Sequence, residues 1–119
     1  MSFRIASKEA KKSKHKQHRL GAVIVKGGRI LSTGFNEIRP SSLLKTNTLH
    51  AEASAILKLL KKNKFSDLAG STMYVTRFTR GGNVGLSKPC QHCTDLIRSV
   101  GISCVNYSIN RETSGTMLM

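Results

Sequence analysis

Two short segments, well separated in the chain, restrict its fold more than any other feature: His50-Ala51-Glu52 and Pro89-Cys90-Gln91-His92-Cys93. One imidazole nitrogen and two thiolates make three protein ligands for Zn2+. Three protein ligands leave the fourth tetrahedral position open to water, the arrangement of a catalytic rather than a structural site. Glu52 is not needed as a ligand. A non-ligating carboxylate beside such a water is placed to act as its general base. The fold must therefore bring residue 50 to residues 90 and 93.

The local pattern places each segment at the start of a helix. From His50 onward, Ala53, Ile56, Leu57 and Leu60 recur at i, i+3, i+4 and i+7, one buried face. Asn47 or Thr48 suits the N-cap, and Lys58, Lys61, Lys62 and Lys64 gather toward the C-terminal end, where positive charge favours the helix dipole. A second helix starts at Pro89, with Cys93, Leu96, Ile97 and Val100 on its apolar face and Gly101 to end it. Cys90 and Cys93, three residues apart, share a face of its first turn, where the helix N-terminus favours thiolates.

The remaining segments supply a sheet. Residues 1–19 are basic and carry Phe3, Ala6 and Ala10 at helical spacing, which predicts a docked helix from about Ser2 to Lys14. Leu20–Lys26 and Arg29–Gly34, joined by Gly27-Gly28, read as a β-hairpin with a tight two-residue turn. Glu37–Leu49 and Phe65–Ser71 read as loops, Thr72–Phe78 as a strand, and Thr79–Lys88 as a glycine-rich loop that lacks the G-K-[ST] of a phosphate-binding P-loop. Ile102–Ile109 reads as the last strand and 110–119 as a short polar tail. Helix, hairpin, helix, strand, helix, strand implies a small mixed sheet in a compact three-layer α-β-α fold. The last two strands are expected to be parallel through a right-handed crossover, with both ligand-bearing helices starting at one edge.

A length of 119 residues suits one domain, 1–119. No apolar run reaches the length of a membrane span, and the basic, polar N-terminus has no secretory pattern. Three cysteines, one of them left over as Cys104, argue for a reducing compartment, so a cytoplasmic location is expected. A small sheet with an exposed edge predicts self-association into a homo-oligomer. Twenty Lys and Arg against six Asp and Glu give a net charge of +14, which suits an anionic substrate or a polyanionic partner.

H-x-E followed by P-C-x-x-C is a signature of zinc nucleobase deaminases. On these residues the chain resembles the cytidine/deoxycytidylate deaminase superfamily, which includes the tRNA adenosine deaminases; the resemblance spans roughly Ala6 to Ile109. It implies a cytidine-deaminase-like fold and hydrolysis of a cyclic amidine. Zn2+ on His50, Cys90 and Cys93 would activate a water for attack at C4 of a cytosine or C6 of an adenine, and Glu52 would shuttle its protons. The resemblance also implies a pocket wall at Gly21 and Ala22, a sugar contact from Asn36, and backbone contacts near Ala51, Pro89 and Cys90. Arg77, Phe78, Arg80 and Lys88 are candidate phosphate or nucleic-acid contacts, Phe78 by stacking on a base. The long loop before Pro89 is closer to the nucleotide-type enzymes than to the tRNA enzymes, so the expected substrate is cytosine in a nucleoside or nucleotide of CMP or dCMP type. A base in tRNA or single-stranded nucleic acid is the alternative. A nucleic-acid-binding domain with purely structural zinc is a rival of another class, which Glu52 argues against.

Overall fold

A computed structural model describes residues 2–14, 18–41, 46–62 and 65–119. Its elements are α1 (Ser2–Ala10), β1 (His18–Lys26), β2 (Arg29–Phe35), β3 (Glu37–Ser41), β4 (Thr46–Leu49), α2 (Ala51–Lys61), a 3-10 turn (Phe65–Leu68), β5 (Thr72–Thr79), β6 (Val84–Gly85), α3 (Gln91–Ser99), β7 (Cys104–Ser108) and β8 (Ser114–Leu118). The main sheet runs β2-β1-β5-β7-β8, with β6 added against β5. β5 and β7 are parallel, as the crossover through α3 requires, and the remaining pairs are antiparallel.

The hairpin closes on Gly27 and Gly28, with φ of +58° and +76°. Two successive positive φ values match the right-handed strand twist, and glycine adopts them at no steric cost.

The layers follow from strand alternation. On β1, Gly21 faces α1: a Cβ there would lie 2.0 Å from the Ala6 carbonyl oxygen. Its neighbours Ala22 and Ile24 face the opposite way, into a core with Ala53, Ile56 and Leu59 of α2, Met73 and Val75 of β5, Cys93 and Ile97 of α3, and Val105 of β7. Helix α1 thus covers one face and α2 with α3 the other, the three-layer α-β-α arrangement. Helix α2 buries Ala51 through Ile56 together with Leu59, a wider surface than one stripe, and Leu57 and Leu60 are half-buried.

Three readings change. Residues 37–49 are not a plain loop: β3 and β4 pair antiparallel as a separate two-stranded sheet. The N-cap of α2 is His50, and Asn47 and Thr48 belong to β4. Residues 110–119 are not a tail. Asn110 Oδ1 accepts the backbone N–H groups of Glu112 and Thr113, both at 2.9 Å, and this turn returns the chain as β8 beside β7. A polar strand such as Ser114–Leu118 has little β pattern of its own; pairing with β7 creates it, and Met117 packs against the core.

Candidate active site

Both ligand-bearing helices begin with a ligand as N-cap. His50 (φ −68°, ψ 152°) and Cys90 (φ −69°, ψ 172°) hold extended backbone, and neither side chain caps its own helix. Their carbonyls accept the first helical bonds, from Ser54 at 2.9 Å and Thr94 at 2.8 Å. The two side chains are thereby free to turn toward each other. Gly34 sets the depth of this arrangement. A Cβ there would lie 2.6 Å from both the Ala51 oxygen and the Ala55 nitrogen, so only glycine lets α2 start this close to β2.

His50 Nδ1 lies 3.1 Å from Cys93 Sγ and 3.7 Å from Cys90 Sγ, and all three donor atoms fall within 4.8 Å of one another. Tetrahedral zinc with bonds of about 2.3 Å to sulfur and about 2.0 Å to nitrogen holds N and S about 3.5 Å apart, so the donor set fits Zn2+. The electrostatics agree. Burial, then the nearby His92, lowers the His50 pKa and keeps the imidazole neutral, its ligand form. Burial first, then the charges of Glu52 and Cys90, pushes the Cys93 thiol far up. A bound cation would add to the helix N-terminus in favouring the Cys93 thiolate against this burial.

Glu52 is 3% exposed, with its pKa pushed up to about 7 by burial. Its Oε1 is buried and has no hydrogen-bond partner among the described residues. A buried carboxylate oxygen left unpaired is costly.

A cavity of about 330 Å³ opens here, lined by His50, Ala51, Glu52 and Cys90 on one side and by His18, Leu20, Asn36, Arg77 and Leu86–Lys88 around the rest. Ala51 thus stands in the wall. Pro89 is buried and Ala22 lies in the core, and neither lines the cavity. Gly21 does not admit a base either, since its open side is filled by α1. Asn36 reaches the cavity with its amide engaged: Oδ1 accepts from Leu20 N at 2.8 Å, and Nδ2 donates to the His18 carbonyl at 2.7 Å. Arg77 and Lys88 line the cavity and Arg80 does not. Phe78 is also outside it, on the α1 side, flanked by Lys11 Nζ at 5.8 Å and the Arg19 guanidinium at 5.6 Å. His92 is exposed and outside the donor cluster.

The sequence reading missed the wall made by Leu86 and Ser87. Pairing of β5 with β7 ends at Val75 and Tyr107, and β6 takes over the free edge of β5 at Arg77 and Phe78. Ser87 fills the gap between the diverging strands: Oγ donates to the Val75 carbonyl and accepts the Ser108 N–H, each at 2.7 Å. Ser108 Oγ in turn donates to the Gly85 carbonyl at 2.7 Å. The 79–88 loop is therefore no idle excursion, because its second half is stitched to the sheet as a cavity wall. Nothing in its composition announced this, since a serine in a glycine-rich loop has no pattern until its partners are known.

A sequence profile for the cytidine and deoxycytidylate deaminase zinc-binding region matches residues 1–109. The chain belongs to this family. Zn2+ is its metal, and the family's named members are hydrolases acting on amidines. The deaminase is 29% identical over 126 residues to the deoxycytidylate deaminase of Mycobacterium phage D29, covering 87% of this chain and 88% of that protein. It is 45% identical over 78 residues to the diaminohydroxyphosphoribosylamino-pyrimidine deaminase of Schizosaccharomyces pombe, covering 66% of this chain but only 17% of that longer protein. Among solved structures it resembles the dCMP deaminase of cyanophage S-TIM5 (TM-score 0.69, 28% identity, 91% of this chain and 79% of that one). The cytidine deaminase of Burkholderia pseudomallei shares the fold, with a TM-score of 0.75 at 18% identity over 98% of this chain and 89% of that one.

Proposed function

We propose that the protein hydrolyses the exocyclic amine of cytosine in a nucleoside or nucleotide of CMP or dCMP type, giving the uracil product and ammonia. The observation that carries this reading is Glu52: a buried carboxyl with an unpaired oxygen, in the wall of a small cavity beside a three-donor zinc cluster. A structural zinc site has no use for it. The relative matched over most of its length is a deoxycytidylate deaminase.

When held by His50, Cys90 and Cys93, zinc supplies Lewis acidity and an acidified water as nucleophile. Glu52 takes a proton from the water as its oxygen bonds to C4. The carboxyl delivers that proton to N3, then carries the second proton to the amino group, and the C4–N bond breaks with release of ammonia. A pKa of about 7 suits a group that must both accept and donate near neutrality. Backbone groups at Ala51 and Cys90 orient the base edge and the nucleophile. Leu20 and Leu86 give the cavity apolar surface that limits the entry of bulk water.

The 45% identity to the S. pombe protein favours a second reading, deamination of a phosphoribosylamino-pyrimidine by the same steps. A polynucleotide substrate has less support. Phe78 is packed between two cations rather than lining the cavity, and a cavity of about 330 Å³ lies at the small end of the range for ligand pockets.

The test is ammonia release and product identification with zinc-loaded protein on cytidine, CMP, dCMP, the phosphoribosylamino-pyrimidine, tRNA and single-stranded DNA. Turnover of the cytidine or CMP/dCMP class is expected. Turnover confined to the phosphoribosylamino-pyrimidine promotes the second reading, and turnover confined to polynucleotide overturns both.

A further inference from the structure

Arg77 also lines the cavity, on β5 opposite Leu20 of β1. Its guanidinium carries five N–H donors and no acceptor. One Nη2 hydrogen goes to His18 Nδ1. Nη1 donates to the Leu86 carbonyl at 3.4 Å, a long bond. Nε is buried and has no partner among the described residues.

The surroundings say what kind of acceptor fits. Among the described residues, Glu52 is the one acidic residue lining the cavity, and Lys88 adds a second cation to the lining. The scaffold holding Arg77 is rigid. Asn36 clamps β1 at His18 and Leu20, and the Ser87–Ser108 stitch fixes the segment that bears Leu86 and Lys88. A guanidinium oriented on these two acceptors keeps one further hydrogen on each Nη nitrogen, and these suit the oxygens of one anion.

We infer that Arg77, positioned by His18, forms with Lys88 an anion subsite that takes the phosphomonoester of the substrate. This deepens the proposed deaminase function and rests on it for what fills the remainder of the cavity. The substrate class is then an aminopyrimidine bearing a 5-phosphoribosyl or 5-phosphodeoxyribosyl group, chemistry that a CMP-type nucleotide and a phosphoribosylamino-pyrimidine share. An uncharged nucleoside leaves the subsite empty.

Two readouts on zinc-loaded protein separate failure of the subsite from failure of the deaminase reading. Calorimetric binding is measured for dCMP, deoxycytidine, the phosphoribosylamino-pyrimidine, ribose 5-phosphate and a short single-stranded DNA; kcat/KM is measured for dCMP, deoxycytidine and the phosphoribosylamino-pyrimidine. The wild type is expected to bind dCMP more tightly than deoxycytidine, and to turn it over with higher kcat/KM, by roughly 10²-fold or more, the worth of two charge-assisted hydrogen bonds. Arg77→Gln is expected to collapse that ratio toward one, mainly through KM, and Lys88→Gln, at an exposed position, to reduce it about tenfold. If the phosphorylated ligands bind without turnover, the subsite stands and the deaminase reading falls. Preference for dCMP or for the phosphoribosylamino-pyrimidine tells the two sources apart. A wild-type ratio near one, an unchanged ratio in both variants, or binding of DNA in preference to every monoester overturns the inference.

Discussion

In the proposed mechanism Glu52 is the proton carrier, and its environment suits a carboxyl that works in both directions. Burial raises its pKa to about 7, so near neutrality neither protonation state is strongly favoured. Glu52→Gln keeps the shape and removes the transferable proton. The variant is expected to bind zinc in the same stoichiometry, by elemental analysis, while the rate of ammonia release falls at least about 10²–10⁴-fold. Wild-type turnover in this variant would remove Glu52 from the mechanism. At the same scale, Cys93 differs from Cys90. Cys93 is fully buried, with its thiol pushed up by burial, whereas Cys90 is exposed at the rim. Either change to Ala is expected to abolish stoichiometric zinc, since three donors are the whole set found among the described residues. Cys93→Ala is expected to lower Tm further, because it also leaves a gap in the core.

Two glycines show how elements set the site. Gly34 and Gly21 each lie where a helix touches the sheet, on opposite faces, and at each a Cβ would strike backbone rather than a yielding side chain. Gly34→Ala pushes the first turn of α2 outward and carries His50 and Glu52 with it. Gly21→Ala pushes α1, which bears no site residue. Both are expected to cost about 1–3 kcal/mol in calorimetric stability, the usual range for overpacking. Only Gly34→Ala is expected to weaken zinc in a competition titration with a chelating dye. Equal zinc affinity in the two variants would show that the start of α2 does not depend on that close approach.

Taken whole, the molecule is a three-layer sandwich whose two site-bearing helices would be joined through a metal held by His50, Cys90 and Cys93. Chelation is therefore expected to destabilise the entire domain. With free zinc about a thousandfold above its Kd, the loss is about 4 kcal/mol, which for a chain of this size corresponds to a fall in Tm of more than about 10 °C. Differential scanning calorimetry with and without chelator measures it, and an unchanged Tm would contradict the coupling. Among the described residues β8 pairs only with β7, and Leu118 is 84% exposed. An open edge beside an exposed leucine favours pairing with a second copy. Sedimentation at micromolar concentration is expected to show a species larger than the 13.0 kDa chain, and Leu118→Lys to reduce it. A wild-type monomer would count against this expectation.

The sequence alone specified the features that local pattern encodes. The Gly27-Gly28 turn, the two helices that start beside His50 and Cys90, and the donor set with its non-ligating glutamate are each written in a few contiguous residues, because periodicity, turn conformation and ligand chemistry act over one or two turns of chain. It also implied the parallel pairing of β5 and β7, since a crossover helix leaves few alternatives. Other features existed only once distant residues met. β8 is a strand because β7 lies beside it. Ser87 is a wall residue because Ser108 and the Val75 carbonyl stand at the gap. Gly21 serves α1 rather than a base because α1 folds onto that face, and Phe78 is flanked by Lys11 and Arg19 because strand alternation points it away from the cavity. Arg77 carried the same charge in the sequence as every other arginine. Its place in the cavity, against His18 and the Leu86 carbonyl, came from the register of β1 on β5 and the return of the 79–88 loop, which no local pattern encodes.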